Sequence, residues 1–453
     1  MKPIPVIAIF DVGKTNKKLF LFDEKYNVVF ERSARFLETT DEDGFPCENL
    51  DSLRLSIFDS LHEVFRKPGF EIKAINFSTY GASFVYLDDD GRPLTPLYNY
   101  LKPYPEALKR QFYSQYGGET AFAFQTASPV LGSLNSGMQL YRIKYEKPGL
   151  FKKIKYALHL PQYLSYLLSG KVCTDITSIG CHTNLWDFTK SRYHAWVERE
   201  GVLEKLPTLV ACDTVVPSTF PGNTYKVGTG LHDSSAALIP YLVSFQEPFI
   251  LISTGTWCIS LNPFNSTPLT ENELKADCLC YLQYQGKPVK ASRLFAGHEH
   301  EEEVKRIAEH FNQSAHKYRS LAFDPAFVDA IKDNLAAIPF PKQDLNVFSS
   351  DIEAYYYLIK HIVVQQQRST ELVIQDSAVK RIFVDGGFSK NSIYMHLLSN
   401  IFPEMEVFAA SMAQATAMGT ALAIHRSWNS LPMPNDLIEL KFYAATGQRQ
   451  KTL

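Results

Sequence analysis

Apolar positions in the opening stretch of the chain fall in short blocks, which predicts strands rather than helices. Blocks at 6–10, 18–22, 28–36 and 72–78 read as four strands. Between the third and fourth, Leu53, Ile57, Leu61, Val64 and Phe65 recur at helical spacing over 50–66. A further strand ends in the turn Leu87-Asp88-Asp89-Asp90-Gly91. Helical patterning dominates 106–168, and its segments 137–145 and 160–168 read as core helices. The second half repeats the opening: 249–261 is again strand, small Gly turn, strand. Strands near 278–285, a charged helix at 298–311, a long helix at 352–375 and a strand at 381–384 follow. Two similar α/β domains with a cleft between them fit this order. The change of domain falls between 221 and 248, and the domains are drawn as 1–242 and 243–453.

With 453 residues the chain can build two or three cores. A formal charge of −2 gives no basic excess, so nucleic acid is not the expected partner. No apolar run reaches the ~20 residues that span a bilayer, so no membrane partner is expected. The segment 4–10 is broken by Pro5 and followed by Asp11, which makes a poor signal peptide. The 7 cysteines show neither zinc spacing nor a disulfide framework, and buried thiols in a reducing cytoplasm fit them. Strand alternation puts Cys278 and Cys280 on one face. The 31 Phe and 24 Tyr mostly fill cores, with some left to line a cleft.

Chemistry concentrates in a few short motifs. Asp11-Val12-Gly13-Lys14-Thr15-Asn16-Lys17-Lys18 lies between two strands. Its carboxylate can hold Mg²⁺ through water, its turn N–H groups can face phosphate oxygens, and a lysine can neutralise charge. Gly13-Lys14-Thr15 imitates the end of a P-loop, but Ala8 stands where that motif needs Gly and the chain returns as a strand. Gly228-Thr229-Gly230-Leu231-His232-Asp233 leads into a helical run. Asp233 there is either a simple N-cap or a carboxylate that accepts the proton of a hydroxyl attacking phosphorus. His232 could bind a sugar hydroxyl or be structural. Ser253-Thr254-Gly255-Thr256 offers a second phosphate turn. In Asp385-Gly386-Gly387-Phe388-Ser389-Lys390-Asn391 the glycines either admit a purine or phosphate or only make a turn. The small-residue helix 414–421 permits close packing beside a nucleotide or against another helix. His298 and Glu302 are four apart, but with no third ligand in sequence the segment 298–303 reads as a solvated charged helix.

Taken in this order, the motifs closely resemble the FGGY carbohydrate kinases of the actin and hexokinase superfamily, over essentially the whole chain. The resemblance implies two ribonuclease-H-like domains with an interdomain active-site cleft. The rhamnulokinase and fuculokinase branch is nearest, through residues 78–88, 158–170, Thr174-Asp175, 183–187 and Trp257. By resemblance, the activity is ATP-dependent phosphorylation of a hydroxyl on a ketose such as L-rhamnulose or L-fuculose. Asp233 is then the general base, and Asp11 and Asp233 are the metal-side carboxylates for Mg²⁺. Gly13, Lys14, Thr15, Asn16, Lys18, Gly255 and Thr256 match phosphate-contacting positions. Gly386, Gly387 and Asn391 match the nucleotide pocket, and Gly81, Ser83, His232 and Ser234 the sugar side. The N-terminal domain would mainly hold sugar and the C-terminal domain ATP. A homodimer is one assembly the resemblance allows.

The chain departs from the family pattern at Lys14, where a small or hydroxyl residue is usual, and at Asp385, in place of the first Gly of a Gly-Gly-Gly turn. Ser83 replaces an acidic residue, and Leu294 falls near a sugar-binding Asn. These last two bear on which sugar is used. Another pentulose or polyol kinase such as a xylulokinase, and a non-catalytic actin-like nucleotide switch, stay open, although Asp233 favours a kinase.

Overall fold

The strand Ile4–Val12 is a central one because its apolar run is buried on both faces. In the computed structural model, which describes residues 2–14, 17–34, 37–219, 224–329, 338–375, 377–412 and 414–445, it pairs on both edges. Lys17–Asp23 runs antiparallel on one side and Phe70–Thr79 parallel on the other. The full 7-stranded sheet runs Val215–Pro217, Lys226–Gly228, Phe70–Thr79, Ile4–Val12, Lys17–Asp23 and Val28–Ala34, with the short strand Leu231–His232 also pairing Phe70–Thr79. Residues 35 and 36, the expected end of the third strand, lie outside the described residues.

One face of this sheet is covered by the helix Leu50–Phe65, which starts at Asn49, whose side chain accepts from the Ser52 N–H. Its Leu53, Ile57, Leu61 and Val64 pack on Ala8, Phe10 and Phe77. The other face carries Ile7, Ile9, Phe20 and Phe22, and residues from the far end of the chain cover it: Ala417, Ala421, Leu422 and Trp428. A helical insertion lies partly between and partly after the antiparallel strands Phe84–Leu87 and Tyr156–His159. Its core centres on Phe112, whose ring meets Tyr141 and Trp196 edge-on at 4.9 and 5.2 Å.

The second 7-stranded sheet runs Cys278–Leu282, Pro288–Leu294, Cys258–Asn262, Phe249–Thr254, Arg381–Gly386, Glu406–Ser411 and Glu439–Tyr443. Its middle repeats the first: Phe249–Thr254 has an antiparallel hairpin partner on one side and a parallel strand on the other. The helices Ala296–His310, Asp351–Ile374 and Ser392–Ile401 cover one face. Leu238 and Tyr241 of the helix Asp233–Ser244 pack on the other. The same helix sends Ala236 and Ile239 into the core of the first sheet. It is therefore wedged between the two sheets. The duplicated sheet-and-helix architecture is the ribonuclease-H-like, actin and hexokinase type.

Some elements differ from expectation. The strand expected at 381–384 continues to Gly386, which takes the first turn glycine into the sheet. The charged helix starts at Ala296 and is not solvated all round. Glu301 and Glu302 are exposed, but His300 faces inward with Nε2 3.2 Å from the Tyr355 hydroxyl, and Glu299 pairs with His361 at 3.0 Å. All seven cysteines are buried and none is in a disulfide. Among the described residues no helix is long and apolar enough to cross a membrane.

The ion pair between Lys290 and Glu273 is buried outright. Lys290, 1% exposed, lies 2.5 Å from Glu273, 4% exposed, and the Thr267 hydroxyl takes a second ammonium bond at 3.0 Å. Replacing Lys290 by Met strands the carboxylate, so an expected loss of about 3–5 kcal/mol follows, read by urea unfolding. Adding Glu273→Gln should recover most of it.

Candidate active site

Parallel pairing of Ile4–Val12 with Phe70–Thr79 sets Asp11 opposite Ser78, and the Ser78 hydroxyl donates to Asp11 Oδ1 at 3.1 Å. The strand Leu231–His232 lies on the other side of Ser78 and Thr79, and Asp233 follows it as the first residue of its helix. Two carboxylates from distant parts of the sequence thus meet around one strand end. Burial and the Asp233 charge push the Asp11 carboxyl up to about 7. Burial pushes Asp233 up to about 6, against the hydrogen bonds it accepts from Ser234.

Asp233 does not cap its helix. The N-cap is His232, which makes no side-chain capping bond, and the Asp233 carboxylate accepts from the Ser234 N–H at 2.6 Å and hydroxyl at 3.3 Å. His232 Nε2 stands 3.2 Å from Asp233 Oδ1 and 3.1 Å from Cys181 Sγ. Burial drives this imidazole down to about 4, so it is neutral at pH 7 and its contact with Asp233 is not an ion pair. Gly81 lies against the ring: a Cβ there would come within 3.0 Å of His232 Cδ2. Ser83 is buried with its hydroxyl unbonded, and so are Gln139 Oε1 and His159 Nδ1. Gln139 reaches the same strand end, because its Nε2 donates to the Ala82 carbonyl at 2.7 Å.

The raised pair has a consequence for stability. In the unfolded chain an aspartate titrates near its ordinary value of about 3.9. Folding therefore favours the protonated forms, and that contribution is lost as pH rises from about 4 through about 7. The difference in melting temperature between Asp11→Asn and the unsubstituted chain, without divalent ions, should grow in favour of the variant across that window.

The glycine turn after Asp11 is oriented by a residue the sequence did not single out. Glu48, 3% exposed, lies 3.3 Å from both the Lys14 and Lys17 ammonium groups, and Lys14 also sits over the Tyr80 ring. Lys18 pairs with Glu31 at 2.7 Å. Thr15 and Asn16 lie outside the described residues. Gly13 is half-buried at the start of the turn.

In the second sheet Gly255 and Thr256 are exposed. Their turn is pinned from behind, since the Thr256 carbonyl accepts from His298 N–H at 3.1 Å. Gly386 has φ +94° and a Cβ there would overlap the Thr254 carbonyl oxygen. Gly387 N–H donates to that same oxygen at 2.9 Å, and Thr254 Oγ1 donates to the Asp385 carbonyl at 2.6 Å. These two glycine turns are stitched to each other. Asn391 is engaged at both ends of its amide: it caps the helix Ser392–Ile401 through Tyr394 N–H at 3.1 Å and donates to the Tyr355 hydroxyl at 2.8 Å.

Two contacts join the groups. Tyr241, on the Asp233 helix, donates to Asp385 Oδ2 at 2.8 Å. Asn76 is fully buried; its Oδ1 accepts from Phe77 and Gly230 N–H, and its Nδ2 donates to the Thr420 carbonyl. The glycines before Asp233 serve this packing, since a Cβ at Gly228 would overlap Asn76. The small-residue helix Ala415–Ala423 also packs helix to helix, with Gly419 against the Ala236 carbonyl.

Residues 6–239 match the N-terminal domain of the FGGY family of carbohydrate kinases, and residues 246–432 match the carbohydrate kinase FGGY C-terminal domain. The chain belongs to the FGGY family. This FGGY protein is 28% identical over 277 residues to a rhamnulokinase of Halalkalibacterium halodurans, covering 57% of this chain and 54% of that one. It is 26% identical over 204 residues to a rhamnulokinase of Oceanobacillus iheyensis, covering 42% of each. The matches thus span about half the length, or less, of these curated relatives. Its fold is that of a carbohydrate kinase from Novosphingobium aromaticivorans, with TM-score 0.79, 22% identity and 97% of both chains covered. The xylulose kinase of Rhodospirillum rubrum is similar as well, with TM-score 0.80, 14% identity and coverage of 98% and 94%.

Proposed function

We propose that this FGGY protein transfers the γ-phosphoryl group of ATP to a hydroxyl of a ketose, L-rhamnulose or L-fuculose first among them. The reading rests above all on Asp233, a half-buried carboxylate that is not the N-cap of its helix and stands beside a second one, Asp11. A base for a substrate hydroxyl needs that placement. Asp11 and Asp233 also suit Mg²⁺, a hard ion that takes oxygen ligands, because a cation offsets both the burial and the Asp233 repulsion that raise Asp11. When bound, Mg²⁺ would neutralise charge on the phosphoryl oxygens.

The chain's own residues do the rest. Asp233 accepts the hydroxyl proton, and neutral His232 stands beside it and meets the sugar through the gap left at Gly81. Ser83 Oγ, Gln139 Oε1 and His159 Nδ1 are buried polar atoms left for sugar hydroxyls. Glu48 steers Lys14 at the edge of the phosphate turn, and the exposed Gly255–Thr256 turn offers N–H groups from the other sheet. Sugar is held mainly by residues 1–242 and ATP mainly by 243–453. The curated rhamnulokinases favour a deoxyketose, and the similar xylulose kinase makes a pentulose the second reading.

The test is ADP release across L-rhamnulose, L-fuculose, xylulose, ribulose and glycerol. Sugar-dependent turnover on a ketose is expected. Turnover on none of them, with ATP-dependent assembly instead, would favour the nucleotide switch.

A further inference from the structure

We propose that Cys181, His182 and His232 form a binding site for one soft divalent ion such as Zn²⁺, directly beside Asp233. Each residue contributes one ligand atom, these atoms lie within 4.8 Å of one another, and all three side chains are buried. Two nitrogens and a sulfur suit zinc and not Mg²⁺, so donor chemistry keeps the two cations apart. A tetrahedron on zinc bonds of ~2.0–2.3 Å has edges of about 3.3–3.7 Å. The trio needs to contract by about an ångström, and Cys181 Sγ and His232 Nε2 are already 3.1 Å apart.

The surroundings prepare both imidazoles. His182 Nδ1 lies 3.1 Å from the Leu134 carbonyl, an acceptor only, so Nδ1 carries the proton and Nε2 keeps its lone pair. Behind His232, Nδ1 is 3.5 Å from the Ser235 hydroxyl, which donates to the Leu282 carbonyl at 3.3 Å. That relay leaves Nε2 free to ligate. The trio is held from the second sheet as well, by the bridge between Cys181 and Tyr281. On binding, the sulfur–metal bond replaces the S–H bond of Cys181 and the thiol proton passes to buffer. Asp233 Oδ1, 3.2 Å from His232 Nε2, borders the trio without belonging to it, and the fourth position is left to a water or an anion. Zinc would then block turnover by crowding the base and by tying up His232 beside Gly81. This last consequence rests on the proposed role of Asp233, whereas the site itself does not.

The experiment is Zn²⁺ titration of the full chain against a chromophoric chelator, with Co²⁺ as a spectroscopic substitute. One ion per chain and a thiolate-to-Co²⁺ charge-transfer band are expected. Cys181→Ser should abolish the band, Cys181→Ser and His182→Gln should each weaken Zn²⁺ binding at least about 100-fold, and Cys280→Ser should leave it unchanged. Matched thermal unfolding without metal shows that the variants fold. Equal Zn²⁺ affinity in the unsubstituted chain and Cys181→Ser, or no thiolate band, overturns the site. Inhibition competitive with sugar and not with ATP supports the whole proposal. Tight binding with full turnover keeps the site and overturns its inhibitory effect.

Discussion

Asp233→Asn should lower sugar-dependent ADP formation by about 10²–10⁴-fold and leave ATP binding largely intact. An amide has nearly the shape of the carboxylate but cannot take the hydroxyl proton. The same change removes a charge that burial works against, since Asp233 is pushed up to about 6 and its charge raises Asp11 further. The variant should therefore melt no lower than the unsubstituted chain at pH 7, and higher in the absence of divalent ions. Turnover by coupled assay, nucleotide affinity by calorimetry and melting by scanning fluorimetry separate these effects. Near-normal turnover removes Asp233 from the mechanism; loss of ATP binding together with turnover points to a structural role.

Gly419→Val should be among the most destabilising single changes in the chain, costing about 3 kcal/mol or more. At Gly419 the helix Ala415–Ala423 touches the Ala236 carbonyl, and Pro240 Cδ lies 3.1 Å from where a Cβ would be. Neither neighbour is the far end of a flexible side chain, so the two helices must part. Because Ala236 is on the helix that begins at Asp233, activity should fall with stability. Gly149→Ala is the control: nothing lies near that position, and a helical glycine replaced by alanine gains about 0.5–1 kcal/mol. Urea unfolding of the two variants reads the contrast.

Much of this architecture is legible from local pattern. The apolar blocks and glycine turns mark both strand–turn–strand openings, and the run into Asp233 marks a helix start, because period and turn chemistry are local properties. What local pattern cannot carry is the identity of a distant partner. Asn76 reads as a polar interruption in a strand, yet it fixes Thr420, 344 positions away. Glu48 sits in a short hairpin and becomes visible as the Lys14 partner only when that hairpin folds over the turn. Cys181 and His182 belong to no motif, and their relation to His232 arises from the meeting of two chain segments. Gly386 and Gly419 carry glycine for packing as tight as any ligand would require, which sequence alone does not distinguish from a nucleotide contact. His300 shows the converse, a residue inside a charged run that folds inward against an aromatic ring.

The covering of the first sheet by the end of the chain bears on how the protein comes into being. Tyr26 bonds through its hydroxyl to His425 Nδ1 at 2.7 Å, 399 positions later. Until those later residues leave the ribosome, Ile7, Ile9, Phe20 and Phe22 have only partial cover, from residues such as Leu231, Ala236 and Ile239. The nascent N-terminal half must wait, shielded by chaperones or by its own transient collapse, until residues 417–428 have been made. A fragment ending before the second sheet would keep part of that face exposed and aggregate, so the helix Ala415–Ala423 and its neighbours complete a core begun at Ile7.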